Sequence, residues 1–257
     1  MRIEVDYTQR LLQISDFLKR CKPFTSGIYF AFDYINQSFN EVVVEVNEED
    51  KESKLSEEDK VAEIKTRMID IMQVFASHRI INANQVICQE ATQQIKVGET
   101  ILTFGANYTV KLVFLEAAKK GIDFNVFVVG LDADDTESIE LVETLTNSGI
   151  ECTFCQLNSL PLVARKVSKV LFGGISMMNN GYLVAKAGTA SIACWAKSKM
   201  VPVVVCIESF KFSKQAVVHS LISSELRPSK SKSANKVNSK YDITPSRFID
   251  MVVCEMG

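Results

Sequence analysis

Cys152 and Cys155 form a C-x-x-C pair, the spacing of a redox couple or of half a zinc site. A zinc site takes about four ligands. The chain offers only His78 and His219 as histidines and no second cysteine pair. A redox pair normally opens a helix, where the thiolate is stabilised. This pair instead ends a segment, Glu151 to Cys155, that alternates like a strand. The two cysteines therefore read as structural, and no metal or cofactor is expected. His78 lies in Ala-Ser-His-Arg and His219 in Val-Val-His-Ser, and no G-x-S-x-G elbow accompanies them. Surface or interface histidines are expected rather than hydrolytic ones.

The phosphate-binding motifs fare no better. Gly105-Ala-Asn-Tyr-Thr-Val110 follows a short apolar strand but keeps only the first glycine of G-x-G-x-x-G. Gly173-Gly174 also follows a strand, without a third glycine or the lysine of a P-loop. A conventional nucleotide site is not expected. Asn179-Asn-Gly181 is a tight-turn signal, because Asn and Gly tolerate positive φ. Lys186-Ala-Gly-Thr189 places Thr189 as a helix N-cap. A turn and a helix start beside strand ends suit a small anion, and they suit plain loop geometry equally.

The elements that would position these residues change character near Gly98. Before it, Tyr7, Leu11, Leu12, Ile14, Phe17 and Leu18 fall at helical spacing, and Lys22-Pro23 ends that helix. A second helix runs from Thr25 or Ser26 to about Phe39. Residues 41–60 carry nine acids against three lysines, a net of −6 (3 minus 9), and read as an exposed acidic loop. Ser56-Glu-Glu-Asp59 resembles a capping box, and Val61, Ile64, Met68, Ile71, Met72 and Phe75 follow at helical spacing. A further helix covers about 83–96. After Gly98, apolar strands near 100–104, 124–129, 151–155, 169–172 and 201–207 alternate with helices. That alternation predicts a parallel sheet covered on both faces. The expected fold class is α/β: a helical domain over 1–97, with the acidic loop 41–60, then a Rossmann-like, mostly parallel sheet domain over 98–257. Residues 227–240 hold five basic residues, four serines and no acid, and read as a flexible basic loop.

Composition excludes several classes. Hydrophobic residues make up 47% of the 257 and charged residues 23%, unlike a disordered chain, a collagen or a disulfide scaffold. The net charge of −2 gives no general attraction to nucleic acid or to an anionic membrane. No apolar run reaches the roughly 18 residues of a membrane span. Met1 to Arg10 lacks the apolar centre of a signal peptide. Seven cysteines without framework spacing fit reduced, intracellular thiols, and a cytoplasmic location is expected.

Longer stretches resemble a known family. Val170-Leu-Phe-Gly-Gly-Ile-Ser-Met-Met-Asn-Asn-Gly181, with Lys186-Ala-Gly-Thr189, is similar to the signature of the initiation factor 2B family. Gly98 to Phe104, Glu208-Ser-Phe-Lys-Phe212 and Tyr241-Asp-Ile-Thr-Pro245 add to the resemblance, which runs from about Arg10 onward. That family holds the alpha, beta and delta regulatory subunits of translation initiation factor 2B. It also holds isomerases acting on methylthioribose 1-phosphate or ribose 1,5-bisphosphate. Cys21-Lys-Pro-Phe-Thr-Ser26, Ser223-Ser-Glu-Leu226 and the segment from Tyr241 look delta-like, while 208–212 is nearer alpha. Delta subunits carry a long basic extension before the helical domain and continue past the glycine matching Gly257, so the resemblance implies a shortened or divergent form.

In the isomerases a cysteine stands at the place of Gly105 and an aspartate at that of Ile175, with a further aspartate where this chain has Tyr182. Neither glycine nor isoleucine can move a proton, so the resemblance implies no isomerase activity. It implies instead a non-catalytic, delta-like regulatory subunit that scaffolds the nucleotide exchange factor for initiation factor 2. Its partners would be other subunits of factor 2B, a beta-like paralogue above all, and the alpha subunit of initiation factor 2. The docking groove for that alpha subunit maps onto His78, Arg79 and Asn82, where delta subunits tend to carry an acid at the first position and a leucine at the last. The alternative is a catalytically dead binder of sugar phosphates or nucleotides. It would use the remains of the pocket at Gly105, Asn107, Asn180, Gly181 and Lys186.

Overall fold

The computed structural model describes residues 2–21, 25–53, 56–163, 165–216 and 240–256. The chain divides into two compact units, Met1–Asn82 and Ala83–Gly257.

The first unit holds helices α1 (Arg2–Cys21), α2 (Ser26–Ser53) and α3 (Glu57–Phe75), then a π-helical segment, Ala76–Ile81. Phe39, Val42, Val43, Val46 and Ile64 form its core, with Tyr7, Met68 and Ile71 packed against them. The Tyr7 ring stacks on Phe39 with centroids 3.6 Å apart. Ser56 caps α3 as its sequence predicts: its hydroxyl accepts the Asp59 N–H at 3.2 Å and donates to the Asp59 carboxylate at 2.6 Å.

The acidic loop expected over 41–60 is corrected. Helix α2 continues through it to Ser53, and only residues 54–55 lie outside the described residues. Val42, Val43 and Val46 recur every three or four residues and bury one helical face. Glu41, Glu45, Glu48 and Glu49 then fall on the exposed face. Arg67 of α3 gathers part of that charge, 2.7 Å from Glu49, 2.7 Å from Glu63 and 3.8 Å from Glu45. Like charge that could not be buried is spread over solvent and bridged by one guanidinium.

The second unit begins within α4 (Asn82–Gln93), after its first residue, and continues as β1 (Thr100–Phe104), α5 (Tyr108–Lys119), β2 (Asn125–Gly130), α6 (Thr136–Asn147), β3 (Glu151–Gln156), α7 (Leu160–Val163) and β4 (Lys169–Gly173). Then follow β5 (Ser176–Met177), β6 (Leu183–Lys186), α8 (Thr189–Ser198), β7 (Val203–Cys206), β8 (Tyr241–Thr244) and β9 (Met251–Val253). Six strands pair in parallel in the order β3-β2-β1-β4-β7-β9. One face buries Ile87, Val113, Phe114 and Leu145, and the other Leu102, Phe172, Ile192 and Ala196. Both faces are thus covered, as near-continuous apolar strands require. Strands β5, β6 and β8 form a separate antiparallel sheet that the sequence reading did not anticipate.

The boundary falls after Asn82, which corrects the division expected at 97 and 98. Ile87, Cys88, Ala91 and Ile95 join the sheet's core, so α4 belongs to the sheet unit. The basic stretch 227–240, apart from Lys240, lies outside the described residues, as does His219. No helix among the described residues is long and apolar enough to cross a membrane.

Candidate functional site

The strand order reverses between β1 and β4. The chain moves outward from β1 through β2 to β3, then returns to β4 on the other side of β1. Doubly wound sheets bind ligands at the carboxyl ends of the strands flanking such a switch point. Gly105 and Gly173-Gly174 lie at that place.

Gly105 turns the chain out of β1 with φ +66°, and its N–H donates to the Val129 carbonyl at 2.8 Å. Asn107 caps α5, its side-chain oxygen accepting the Val110 N–H at 3.2 Å. The same carboxamide fills the space over Gly173, where an added Cβ would come within 2.0 Å of Asn107 Cγ. Lys186, at the end of β6, lies across Gly105, where an added Cβ would meet Lys186 Cδ at 3.0 Å. Its ammonium reaches Asp135 at 2.9 Å and stands 5.9 Å from the centre of the Phe104 ring. Asp135 also caps α6 through Ser138 N–H at 3.4 Å. Burial raises the Asp135 pKa, but the Lys186 bond and charge, with Ser138, outweigh it and hold the carboxyl below its usual range.

Of the five expected pocket residues, the structure therefore brings Gly105 and Lys186 into contact and sets Asn107 over Gly173. Gly181, with φ +75°, sits in the turn between β5 and β6, where an added Cβ would stand 3.1 Å from Ser246 Cβ. Asn180 is exposed in the same turn. Ile175 is half-buried, its N–H donating to Val184 at 2.9 Å. Neither Gly105 nor Ile175 offers a group that exchanges a proton.

Thr189 does not cap α8 as expected. Gly188 occupies the cap position with φ +113°, and the Thr189 hydroxyl donates back to the Lys186 carbonyl at 2.7 Å. The capping acceptor is Asp242, 52 residues away in sequence from Ala190. Its Oδ2 accepts Gly188 N–H at 2.7 Å and Ala190 N–H at 3.0 Å. The anion that a helix start attracts is supplied by the chain itself. Burial holds the Asp242 carboxyl above its usual range despite these bonds.

One carboxylate is buried at a place to which the sequence assigns no role beyond the 208–212 resemblance. Glu208 follows β7 and is buried; its carboxylate lies 3.1 Å from the Thr109 hydroxyl and 2.5 Å from the Lys211 ammonium. The Thr109 hydroxyl is also 3.1 Å from the Asn84 side chain. A lone Glu after an apolar strand carries no periodic signal, so nothing local points to this cluster.

The cysteine pair is structural for a geometric reason. Cys152 and Cys155 are three apart in β3 and so point to opposite faces. Cys152 packs on the Leu145 side and Cys155 on the Leu102 side, with burial pushing both thiols up to about 11. His78 and Arg79 are exposed on the π segment, and Asn82 is half-buried at its end.

The sequence model of the "Initiation factor 2 subunit family" matches residues 4–257. The chain belongs to the initiation factor 2 subunit family. It is 34% identical over 215 residues to the translation initiation factor eIF2B subunit delta of Schizosaccharomyces pombe, an alignment covering 75% of this chain and 46% of that protein. The chain thus spans less than half the length of that relative. A ribose 1,5-bisphosphate isomerase of Methanocaldococcus jannaschii is 24% identical over 262 residues, covering 99% of this chain and 78% of that enzyme. Among solved structures, the tetrameric eIF2B-beta2-delta2 complex from C. thermophilum superposes with a TM-score of 0.76 at 27% identity, over 93% of this chain and 73% of the matched one.

Proposed function

We propose that this chain is a non-catalytic, delta-like regulatory subunit of the exchange factor 2B. It works by holding other subunits and the alpha subunit of initiation factor 2, in the cytoplasm. The observation that carries the reading is the likeness to a delta subunit over 75% of the chain. The switch point agrees with it: Asn107 and Lys186 fill the crevice, and Gly105 and Ile175 carry no acid or base. The same filling argues against a sugar-phosphate binder, since a ligand would have to displace the Lys186–Asp135 pair.

A beta-like paralogue is the expected pairing partner, by analogy with the tetramer just described. The docking surface for the alpha subunit of initiation factor 2 is the π segment, with His78 and Arg79 exposed on it and Asn82 at its end. The unusual geometry favours that choice, because π segments occur often at functional sites. Arg79 meets an acidic or phosphorylated group there through charge-assisted bonds.

Surface plasmon resonance tests the docking. Arg79→Glu should weaken binding of the alpha subunit at least about tenfold if the charge pair is desolvated, with an unchanged circular dichroism spectrum. Equal affinity for wild type and variant, with phosphorylated and unphosphorylated partner alike, removes the segment from the interface. Titration with ribose 1,5-bisphosphate and methylthioribose 1-phosphate should give no binding heat and no turnover. Micromolar binding of either revives the alternative.

A further inference from the structure

The helical run from Glu57 to Gln93 is unbroken in secondary structure, yet its middle differs from its ends. In Ala76–Ile81 the hydrogen bonds skip to the fifth residue, as where the Asn82 N–H donates to the Ser77 carbonyl. None of these six residues is buried, and Ile81 is 62% exposed. The flanks are fixed. Phe75 is buried and its ring stacks on Tyr34 with centroids 4.6 Å apart.

Beyond the segment, Ala83 and Ile87 are buried, and Asn84 is held by Thr109, whose hydroxyl also meets the buried Glu208. The far end of α4 is clamped as well. The Lys169 ammonium bonds the Gln94 carbonyl and pairs with Glu99 at 2.8 Å.

We infer that Ala76–Ile81 is a compliant joint that opens locally while α3 and α4 stay formed, bounded by the Phe75 ring stack on one side and the Asn84–Thr109–Glu208 pin on the other. Local opening is least costly where few apolar groups are buried, and here none of the six is. The same segment carries the proposed docking residues. A partner seated on it would therefore bind an element that it also orders. The inference itself needs no partner, so it stands or falls separately from the docking reading.

Hydrogen–deuterium exchange of the full chain, read by mass spectrometry, tests it. Amides of 76–81 should exchange at least about tenfold faster than those of 65–75 and 85–93, the contrast expected of a locally opening unit. Equal protection across all three stretches overturns the inference. Thr109→Val and, separately, Asn84→Ala remove the pin. Each should spread fast exchange into 82–88 while the strands at 100–104 and 203–206 keep their protection. If 82–88 stays as protected as in wild type in both variants, the pin does not bound the joint and the inference fails.

Discussion

Replacing Asp242 by alanine removes the carboxylate that accepts the Gly188 and Ala190 N–H groups at the start of α8. Two costs follow. Loss of a helix cap is worth about 1 kcal/mol. A bond to a charged acceptor is worth about 1.5–3 kcal/mol when broken in a buried place. Against this stands the cost of keeping the carboxylate there: its Oδ1 is buried without a hydrogen-bond partner, and burial holds its pKa up. The net loss should be about 2 kcal/mol, or about 4–8 °C of melting temperature in a domain of this size. Asp242→Asn keeps an acceptor oxygen of the same shape and should lose less, about 1 kcal/mol.

The two variants also differ from wild type in pH dependence. Because the folded pKa lies above the unfolded one, the native state takes up a proton in that window before the unfolded chain does. The group's contribution to stability therefore grows as pH falls through the raised value and is lost as pH rises through it. Acidification in the window just above the ordinary carboxylate value should widen the gap between wild type and Asp242→Asn. Calorimetric melting of the three proteins at several pH values reads both effects. An alanine variant within about 0.5 kcal/mol of wild type would refute the capping role of Asp242, and a gap that narrows on acidification would show that burial does not hold its carboxyl above the usual range.

Gly188→Ala should destabilise the fold by about 2 kcal/mol, since a residue forced into an unfavourable backbone region costs about 1–3 kcal/mol. At φ +113° the new methyl would also lie 2.6 Å from Phe104 Cζ; a denaturant midpoint unchanged from wild type would contradict this. Asp250 is held below its usual range by Lys197 and by the Val203 N–H, at 2.8 and 2.9 Å. Its contribution is present above the ordinary carboxylate value and fades as pH falls through the lowered one. Asp250→Asn should therefore flatten the acid limb of the stability curve, and an unchanged limb in acid titration followed by circular dichroism would count against it.

Much of the architecture follows from local pattern. Ser56 and Asp59 announce a cap within four residues, and the structure places the bonds there. The alternation of apolar strands and helices after Gly98 needs only neighbouring residues to be read, and the parallel sheet follows it. That Gly105 and Ile175 carry no proton-transferring group is likewise visible in the residues themselves.

Tertiary structure decided what depends on distant partners. Nine acids in residues 41–60 argue for a loop until Val42, Val43 and Val46 find a core and Arg67 bridges two of them, Glu45 and Glu49. The boundary at Asn82 rests on where Ile87 and Ala91 are buried, which helical spacing alone leaves open. Asp242 and Glu208 are single acids without periodicity, and only the fold brings one to the start of α8 and the other to Thr109. The π segment is the sharpest case. Its sequence, Ala-Ser-His-Arg-Ile-Ile, continues a helical pattern, and nothing in it announces the wider turn, in which the Asn82 N–H reaches back to the Ser77 carbonyl. Local propensity chooses helix or strand over a few residues; which helical face finds a core, and the partner of a buried charge, are properties of the whole packing.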